Sequence, residues 1–140
     1  MPRVDPCLSR RSLLLAGGAG LGALGLTACA GGPDVPELTG VQAGDVLVPL
    51  ADVPREGAYE LSLDGRRVLV TRPAEGTVLA FVAKCPHQGC AVRPDDVGGL
   101  VCPCHGSAFD PATGDVLRGP ATSPLTAVDV TVRGDDVVLA

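Results

Sequence analysis

The chain has 140 residues, which is enough for one domain with a core of modest size. It contains 19 glycines and 13 prolines but only two Phe, one Tyr and no Trp, a composition that argues against long helices and favours short strands joined by tight turns. The formal net charge is −5 and basic residues form no block, which excludes nucleic acid as an expected partner.

The N-terminal segment 1–28 has the pattern of an export signal. Two adjacent arginines, Arg10 and Arg11, precede an apolar run over 13–26. Five glycines interrupt this run, and it is shorter than the roughly 20 residues that a membrane-spanning helix needs. Residues 9–14, Ser-Arg-Arg-Ser-Leu-Leu, resemble a twin-arginine export motif.

Residues 26–29, Leu-Thr-Ala-Cys, resemble the lipobox of bacterial lipoproteins. In that family the cysteine at the position of Cys29 is lipidated and becomes the new N-terminus. The resemblance therefore implies a lipid anchor on the outer face of the cytoplasmic membrane. The alternative is an N-terminal segment that is not cleaved and stays as a membrane anchor. Either way the destination is oxidising, so a disulfide can persist there.

Behind this signal, the residues predict a tether followed by a β domain. Segment 29–43 contains Gly, Pro and small polar residues without an apolar period, and we predict a flexible tether there and a domain over 44–140. Short apolar runs indicate strands, and Asp-Gly at 64–65 is a hairpin signal. The predicted strands cover 46–50, 59–63, 66–71, 77–83, 125–132 and 137–139. The predicted fold class is all-β, a small antiparallel sandwich or barrel.

Residues 84–124 break the strand pattern and indicate an inserted pair of loops standing on the β base. Four of the six cysteines and both histidines lie between residues 85 and 105, a clustering that indicates a metal, a disulfide or both. The two segments that carry them are Cys-Pro-His-Gln-Gly-Cys at 85–90 and Cys-Pro-Cys-His-Gly-Ser at 102–107. Each offers one chelating Cys/His pair, so two loops can close around one inorganic centre.

Two kinds of centre fit two cysteines and two histidines. Tetrahedral zinc fits by ligand count. A [2Fe–2S] cluster in which two histidines replace two cysteines on one iron fits equally well. Spacing favours iron, because a zinc finger needs a helix bearing two histidines three to five residues apart, and the sequence has no such helix. Each of the two segments also contains a further cysteine beside its candidate ligands, Cys90 in the first and Cys104 in the second.

Both segments together resemble the Rieske family, and specifically the branch found in respiratory quinol-oxidising complexes. The resemblance covers roughly residues 45–140. It implies one [2Fe–2S] cluster, with the thiolates of Cys85 and Cys102 on the inner, buried iron. His87 and His105 would bind the outer iron, each through one ring nitrogen, with the other nitrogen facing solvent.

The same resemblance assigns further residues. It implies a disulfide between Cys90 and Cys104 that ties the two loops together, and Ser107 matches a serine whose hydroxyl donates to a bridging sulfide. Two positions depart from the respiratory pattern. Phe109 stands where that branch usually has a tyrosine that donates to a cysteine sulfur. Gln88 stands where it usually has a leucine that packs into the quinol-binding partner, which weakens the case for docking onto a membrane cytochrome.

The implied cluster-binding loops lie at about 84–92, 102–109 and 118–124. Gly119 and Pro120 belong to the third loop, which covers the cluster in the family. The implied function is one-electron transfer to or from a redox protein, as a carrier or as a subunit of an oxidoreductase. No nucleophile or acid–base pair indicates an independent catalytic site, since both histidines are candidate ligands.

Three other functions fit the sequence less well. A Rieske subunit of a quinol–cytochrome c reductase is disfavoured by Gln88 and by the short apolar run. A ferredoxin component of an oxygenase is disfavoured by the export signal and by the second cysteine pair. A zinc-binding interaction module is disfavoured by the spacing of the candidate ligands.

Overall fold

The computed structural model describes residues 35–140, and this part of the chain is built from short β-strands. The only helical element in this range is one 3₁₀ turn, Leu50–Asp52. The predicted all-β class is confirmed. No helix within the described range is long and apolar enough to cross a membrane. The predicted export signal and Cys29 lie outside the described residues.

Within residues 35–140, twelve strands form three sheets. In chain order they are β1 (Glu37–Leu38), β2 (Val46–Pro49), β3 (Ala58–Leu63), β4 (Arg66–Ala74), β5 (Thr77–Val82), β6 (Arg93–Pro94), β7 (Leu100–Val101), β8 (Ala108–Phe109), β9 (Val116–Arg118), β10 (Ala127–Val128), β11 (Val130–Arg133) and β12 (Asp136–Leu139). All pairs are antiparallel except β1 with β3.

Two of the sheets form the base. The larger has the order β1-β3-β4-β5-β10, and the smaller has the order β11-β12-β2. The β3–β4 hairpin turns at Asp64 and Gly65, both with positive φ, as the Asp-Gly signal predicts. Apolar side chains from both sheets, including Leu61, Val70 and Val137, pack into one core cluster. These contacts make the base a sandwich.

The third sheet, β6-β7-β8-β9, occupies the segment that the sequence predicts to be loops. Its strands have only two or three residues, too few for a period-two pattern to be visible in the sequence. Among residues 35–140, the amide of Val92, just before β6, donates to the carbonyl of Ala83 (3.1 Å), and the connection between β8 and β9 makes two further hydrogen bonds to the base side. Thr71 Oγ1 donates to the carbonyl of Pro111 (2.7 Å), and the Leu125 amide donates to the carbonyl of Gly114 (2.9 Å).

Two predicted boundaries are wrong. The predicted tether over 29–43 is too long, because Glu37–Leu38 forms β1 and pairs in parallel with β3. The predicted strand 125–132 is two strands, β10 and β11, and each joins a different base sheet. In both cases the pairing partner is distant in sequence, so local composition did not reveal it.

Candidate metal centre

The two cysteine- and histidine-bearing segments fold into matching turns. The first loop (85–90) follows β5, and the second loop (102–107) joins β7 to β8. In each loop the first residue's amide donates to the carbonyl of the sixth residue, and the fifth residue's amide donates back to the first. The four bonds are Cys85 N to Cys90 O (2.8 Å), Gly89 N to Cys85 O (2.8 Å), Cys102 N to Ser107 O (2.8 Å) and Gly106 N to Cys102 O (2.9 Å).

A glycine at the fifth position makes this turn possible in both loops. Gly89 and Gly106 both have φ of +77°, in the left-handed region that side chains other than glycine rarely adopt. The two loops are therefore equivalent backbone platforms. The two loops differ in the position of their histidine, which is the third residue of the first loop and the fourth residue of the second.

The cysteine that opens each loop is buried. Cys85 is 2% exposed and Cys102 is 1% exposed, and neither forms a disulfide. Both belong to the core cluster that contains Phe81, Phe109 and Ala121. The loops therefore hold two unpaired thiols on their buried side, where a metal centre can be bound away from water.

The two histidines lie beside each other on the exposed side of the loops. The ring centroids of His87 and His105 are 4.9 Å apart, and the ring planes are nearly perpendicular, at 89°. Both residues are exposed. An imidazole that binds metal through one nitrogen keeps a second nitrogen for another contact. This pair is therefore placed to bind a centre while part of each ring still faces solvent.

The predicted disulfide between Cys90 and Cys104 is confirmed. Its sulfur atoms are 2.07 Å apart, and it joins the end of the first loop to the middle of the second. The sulfur atoms of these two residues and of Cys102 lie within 4.8 Å of one another, a spacing compatible with a metal site. Two of the three are joined to each other, so they have no thiolate to offer. The bridge instead restrains the two loops against separation.

The third loop (118–124) is bonded to the second loop. The Ala121 amide donates to Ser107 Oγ (3.0 Å), and the Arg118 Nε donates to the carbonyl of Gly106 (2.9 Å). Gly119 and Pro120 lie between these two anchoring points. Ser107 is fully buried and its oxygen accepts from Ala121, so its own proton remains available for donation.

The side chains fit an iron–sulfur cluster by their chemistry. Thiolates and imidazoles are ligands of both zinc and iron–sulfur clusters. The profile of the family described as Rieske [2Fe-2S] domain matches residues 45–131, which include all three loops. The chain belongs to the Rieske family. It accordingly binds one [2Fe–2S] cluster, and two buried thiols with two exposed imidazoles suit the mixed ligand set that this cluster needs.

Relatives of this Rieske chain differ in their names and sizes. It is 37% identical over 103 residues to carotenoid phi-ring synthase of Chlorobaculum tepidum, covering 71% of this chain and 16% of the relative. It is 40% identical over 84 residues to the cytochrome b6-f complex iron–sulfur subunit of Synechococcus elongatus, covering 59% of this chain and 46% of the relative. The chain thus spans less than half the length of these curated relatives.

Solved structures agree on the Rieske fold. The crystal structure of a plasma membrane Rieske protein from Synechocystis PCC 6803 matches with a TM-score of 0.61 and 32% identity, over 69% of this chain and 98% of that one. The ferredoxin of carbazole 1,9a-dioxygenase from Nocardioides aromaticivorans matches with a TM-score of 0.58 and 24% identity, over 71% of this chain and 98% of that one. The second likeness is evidence of the fold only.

We expect Ser107→Ala to lower the reduction potential and Phe109→Tyr to raise it. Hydrogen bonds to cluster sulfurs favour the reduced form of the cluster. The Ser107 hydroxyl accepts from Ala121 and can still donate its own proton, whereas the buried side chain of Phe109 has no hydrogen-bond donor. Each bond is worth at most about 1.5–3 kcal/mol, so each shift stays below roughly 130 mV for one electron. Protein-film voltammetry at fixed pH measures both, with Phe109→Leu as a control that adds no donor. Unchanged potentials in both variants would contradict the role of these residues.

Proposed function

We propose that this Rieske domain is a one-electron carrier or electron-transfer subunit in which Cys85 and Cys102 bind the inner iron and His87 and His105 the outer iron. The observation that supports this most is the separation of the donors, with both free thiols buried and both imidazoles exposed and adjacent. When bound, the cluster supplies a one-electron couple at a higher potential than clusters held by four cysteines.

The residues of the chain have distinct tasks in this proposal. The two cysteines hold the centre from the core, where water is excluded. The two imidazoles place the redox centre at the protein surface, within reach of a partner. The disulfide and the Arg118 and Ala121 hydrogen bonds keep the three loops in register, so the site needs little rearrangement when an electron arrives.

The proposal is tested on the purified holoprotein. We expect iron and acid-labile sulfide in equal amounts, a visible absorption spectrum that bleaches on reduction, and the electron paramagnetic resonance signal of a two-histidine cluster after reduction. A colourless protein that contains zinc would establish the zinc-binding interaction module instead. Titration with a one-electron reductant should reduce the protein in a single step that consumes one electron per chain.

A subunit role in a quinol-oxidising complex is the second candidate. Relatives of this chain are named as iron–sulfur subunits of the cytochrome b6-f complex, which favours it. Against it stands Gln88, an exposed amide next to His87 where an apolar residue is expected to enter the quinol-binding partner. The rate at which a short-chain quinol reduces the oxidised holoprotein, with two protein molecules reduced for each quinol oxidised to quinone, is measured alone and with membranes. Reduction that requires membranes would indicate a subunit role.

We propose further that the chain is exported and anchored by a lipid on Cys29. The twin-arginine and lipobox resemblances support this, and so does the disulfide, since such bonds persist in oxidising compartments. We expect Cys29→Ser to move the protein from the membrane fraction to the soluble fraction. Cys7→Ser, within the same signal, is the control and should change nothing. A Cys29→Ser protein that stays in the membrane with residues 1–28 attached would establish a retained anchor.

A further inference from the structure

Charge is distributed unevenly between the three cluster-binding loops and the rest of the chain. The chain carries a net charge of −5, yet residues 84–92, 102–109 and 118–124 contain no aspartate or glutamate. They contain two cations, Lys84 and Arg118. The negative charge of the protein therefore lies entirely outside the loops, and the loops themselves are positive.

Lys84 lies against the first loop. It stands directly before Cys85, and a Cβ added at Gly89 would lie 3.2 Å from its Cε, so the lysine side chain passes along this loop's turn. Lys84 is exposed, and neither of the two salt bridges found within residues 35–140 involves it. Its charge therefore faces solvent next to the loop that carries His87.

Arg118 occupies the corresponding place on the second loop. Its Nε donates to the carbonyl of Gly106, the residue equivalent to Gly89, which fixes the guanidinium beside the turn that carries His105. Arg118 is also exposed and also takes part in neither salt bridge. Each loop thus presents one imidazole and one cation that is not neutralised by a carboxylate.

We propose that Lys84 and Arg118 form, around His87 and His105, a docking surface for an acidic face of a redox partner protein. This rests on the proposed function. A [2Fe–2S] cluster with two thiolates and two neutral imidazoles has no net charge when oxidised and one negative charge when reduced, so two cations exceed what neutralises it in either state. At short range, local charges outweigh the net charge, since salt screens charges beyond roughly 10 Å.

The neighbouring surface suits a protein partner. Pro86 and Pro103, the second residues of the two loops, are both exposed. They add rigid apolar surface to the same two loops that carry the imidazoles, and protein interfaces combine an apolar centre with a polar rim. A docking surface of this kind mainly accelerates association and selects partners by sign of charge.

The test measures how fast small charged oxidants take one electron from the reduced holoprotein. Ferricyanide, which becomes ferrocyanide, is the anionic probe, and tris(1,10-phenanthroline)cobalt(III), which becomes the cobalt(II) complex, is the cationic probe. We expect the ferricyanide rate to fall as ionic strength rises from about 0.1 M, where distant charges are already screened, although the net charge of −5 predicts the opposite. The cationic probe should show the reverse dependence or none.

Variants assign the effect to the two residues. At an ionic strength of about 0.1 M, Lys84→Gln and Arg118→Gln should each slow ferricyanide about threefold, and the double variant about tenfold. Arg118→Lys keeps the charge and should keep the rate even if the bond to Gly106 is lost. Arg133→Gln removes an exposed cation from β11, in a base sheet outside the loops, and should change the rate little.

Three outcomes would overturn the proposal. One is a wild-type ferricyanide rate that rises with ionic strength. Another is equal slowing in Lys84→Gln and Arg133→Gln. The third is Lys84-dependent cosedimentation with phosphatidylglycerol vesicles, which would assign the cations to an anionic membrane surface. Visible absorbance measures how much cluster each sample contains. A chain that never binds the cluster would disprove the proposed function. A chain that binds the cluster but shows the wrong salt dependence would disprove only the docking surface.

Discussion

Replacing either histidine should abolish the Rieske-type cluster. We expect His87→Ala and His105→Ala each to lose the two-histidine paramagnetic resonance signal completely. The chain contains only these two histidines, so no other imidazole can take the vacant place. Their rings stand 4.9 Å apart at the surface, and water entering at the lost ligand would expose the centre to solvent. Iron and sulfide content of each purified variant, with the resonance spectrum after reduction, measures the loss.

Gln88→Ala is the matched control for both variants. Gln88 is exposed, follows His87 directly, and occupies in the first loop the fourth position that His105 occupies in the second. Its truncation disturbs the same loop without removing a candidate ligand, so the cluster and its signal should be retained. A two-histidine signal that survives in either histidine variant would contradict the ligand assignment.

The first two cluster-binding loops could be predicted because the residues that define each of them are close together in sequence. Both segments begin with Cys-Pro and have a glycine at the fifth position, and in the structure both form the same pattern of backbone hydrogen bonds. The disulfide between Cys90 and Cys104 was also predictable through the resemblance to the Rieske family. The base strands followed from alternation and from the Asp-Gly turn at 64–65.

Other features depend on residues far apart in sequence and could not be predicted. The strand Glu37–Leu38 exists because it pairs with β3, and nothing in its two residues indicates that partner. The short strands β6 to β9 are likewise defined by pairing. The closeness of Arg118 to Gly106 depends on how the third loop packs against the second, and local sequence does not indicate it.

Gly114 takes part in one of the hydrogen bonds that attach the small sheet to the base. This buried glycine has φ of +78°, its amide donates to Asp110 O (2.7 Å), and its carbonyl accepts from the Leu125 amide (2.9 Å), just behind the third loop. A Cβ at this position would lie 2.7 Å from Cε1 of Phe81. Phe81 is 2% exposed and packs in the core cluster that contains both candidate cysteine ligands, so its ring cannot move aside freely.

Gly114→Ala should therefore be one of the most destabilising single-methyl changes in the domain. The left-handed backbone costs a residue with a side chain about 1–2 kcal/mol, and the overlap with Phe81 adds about 1–3 kcal/mol. Gly134→Ala is the control, because Gly134 has φ of +64° but nothing within 4 Å of an added Cβ, so only the backbone cost applies. Urea unfolding of both holoproteins, followed by circular dichroism and by cluster absorbance, compares them. Equal urea midpoints would show that the ring of Phe81 moves aside without cost. A much lower midpoint for Gly114→Ala, with loss of cluster absorbance at a lower urea concentration, would show that this contact holds the cluster loops on their base.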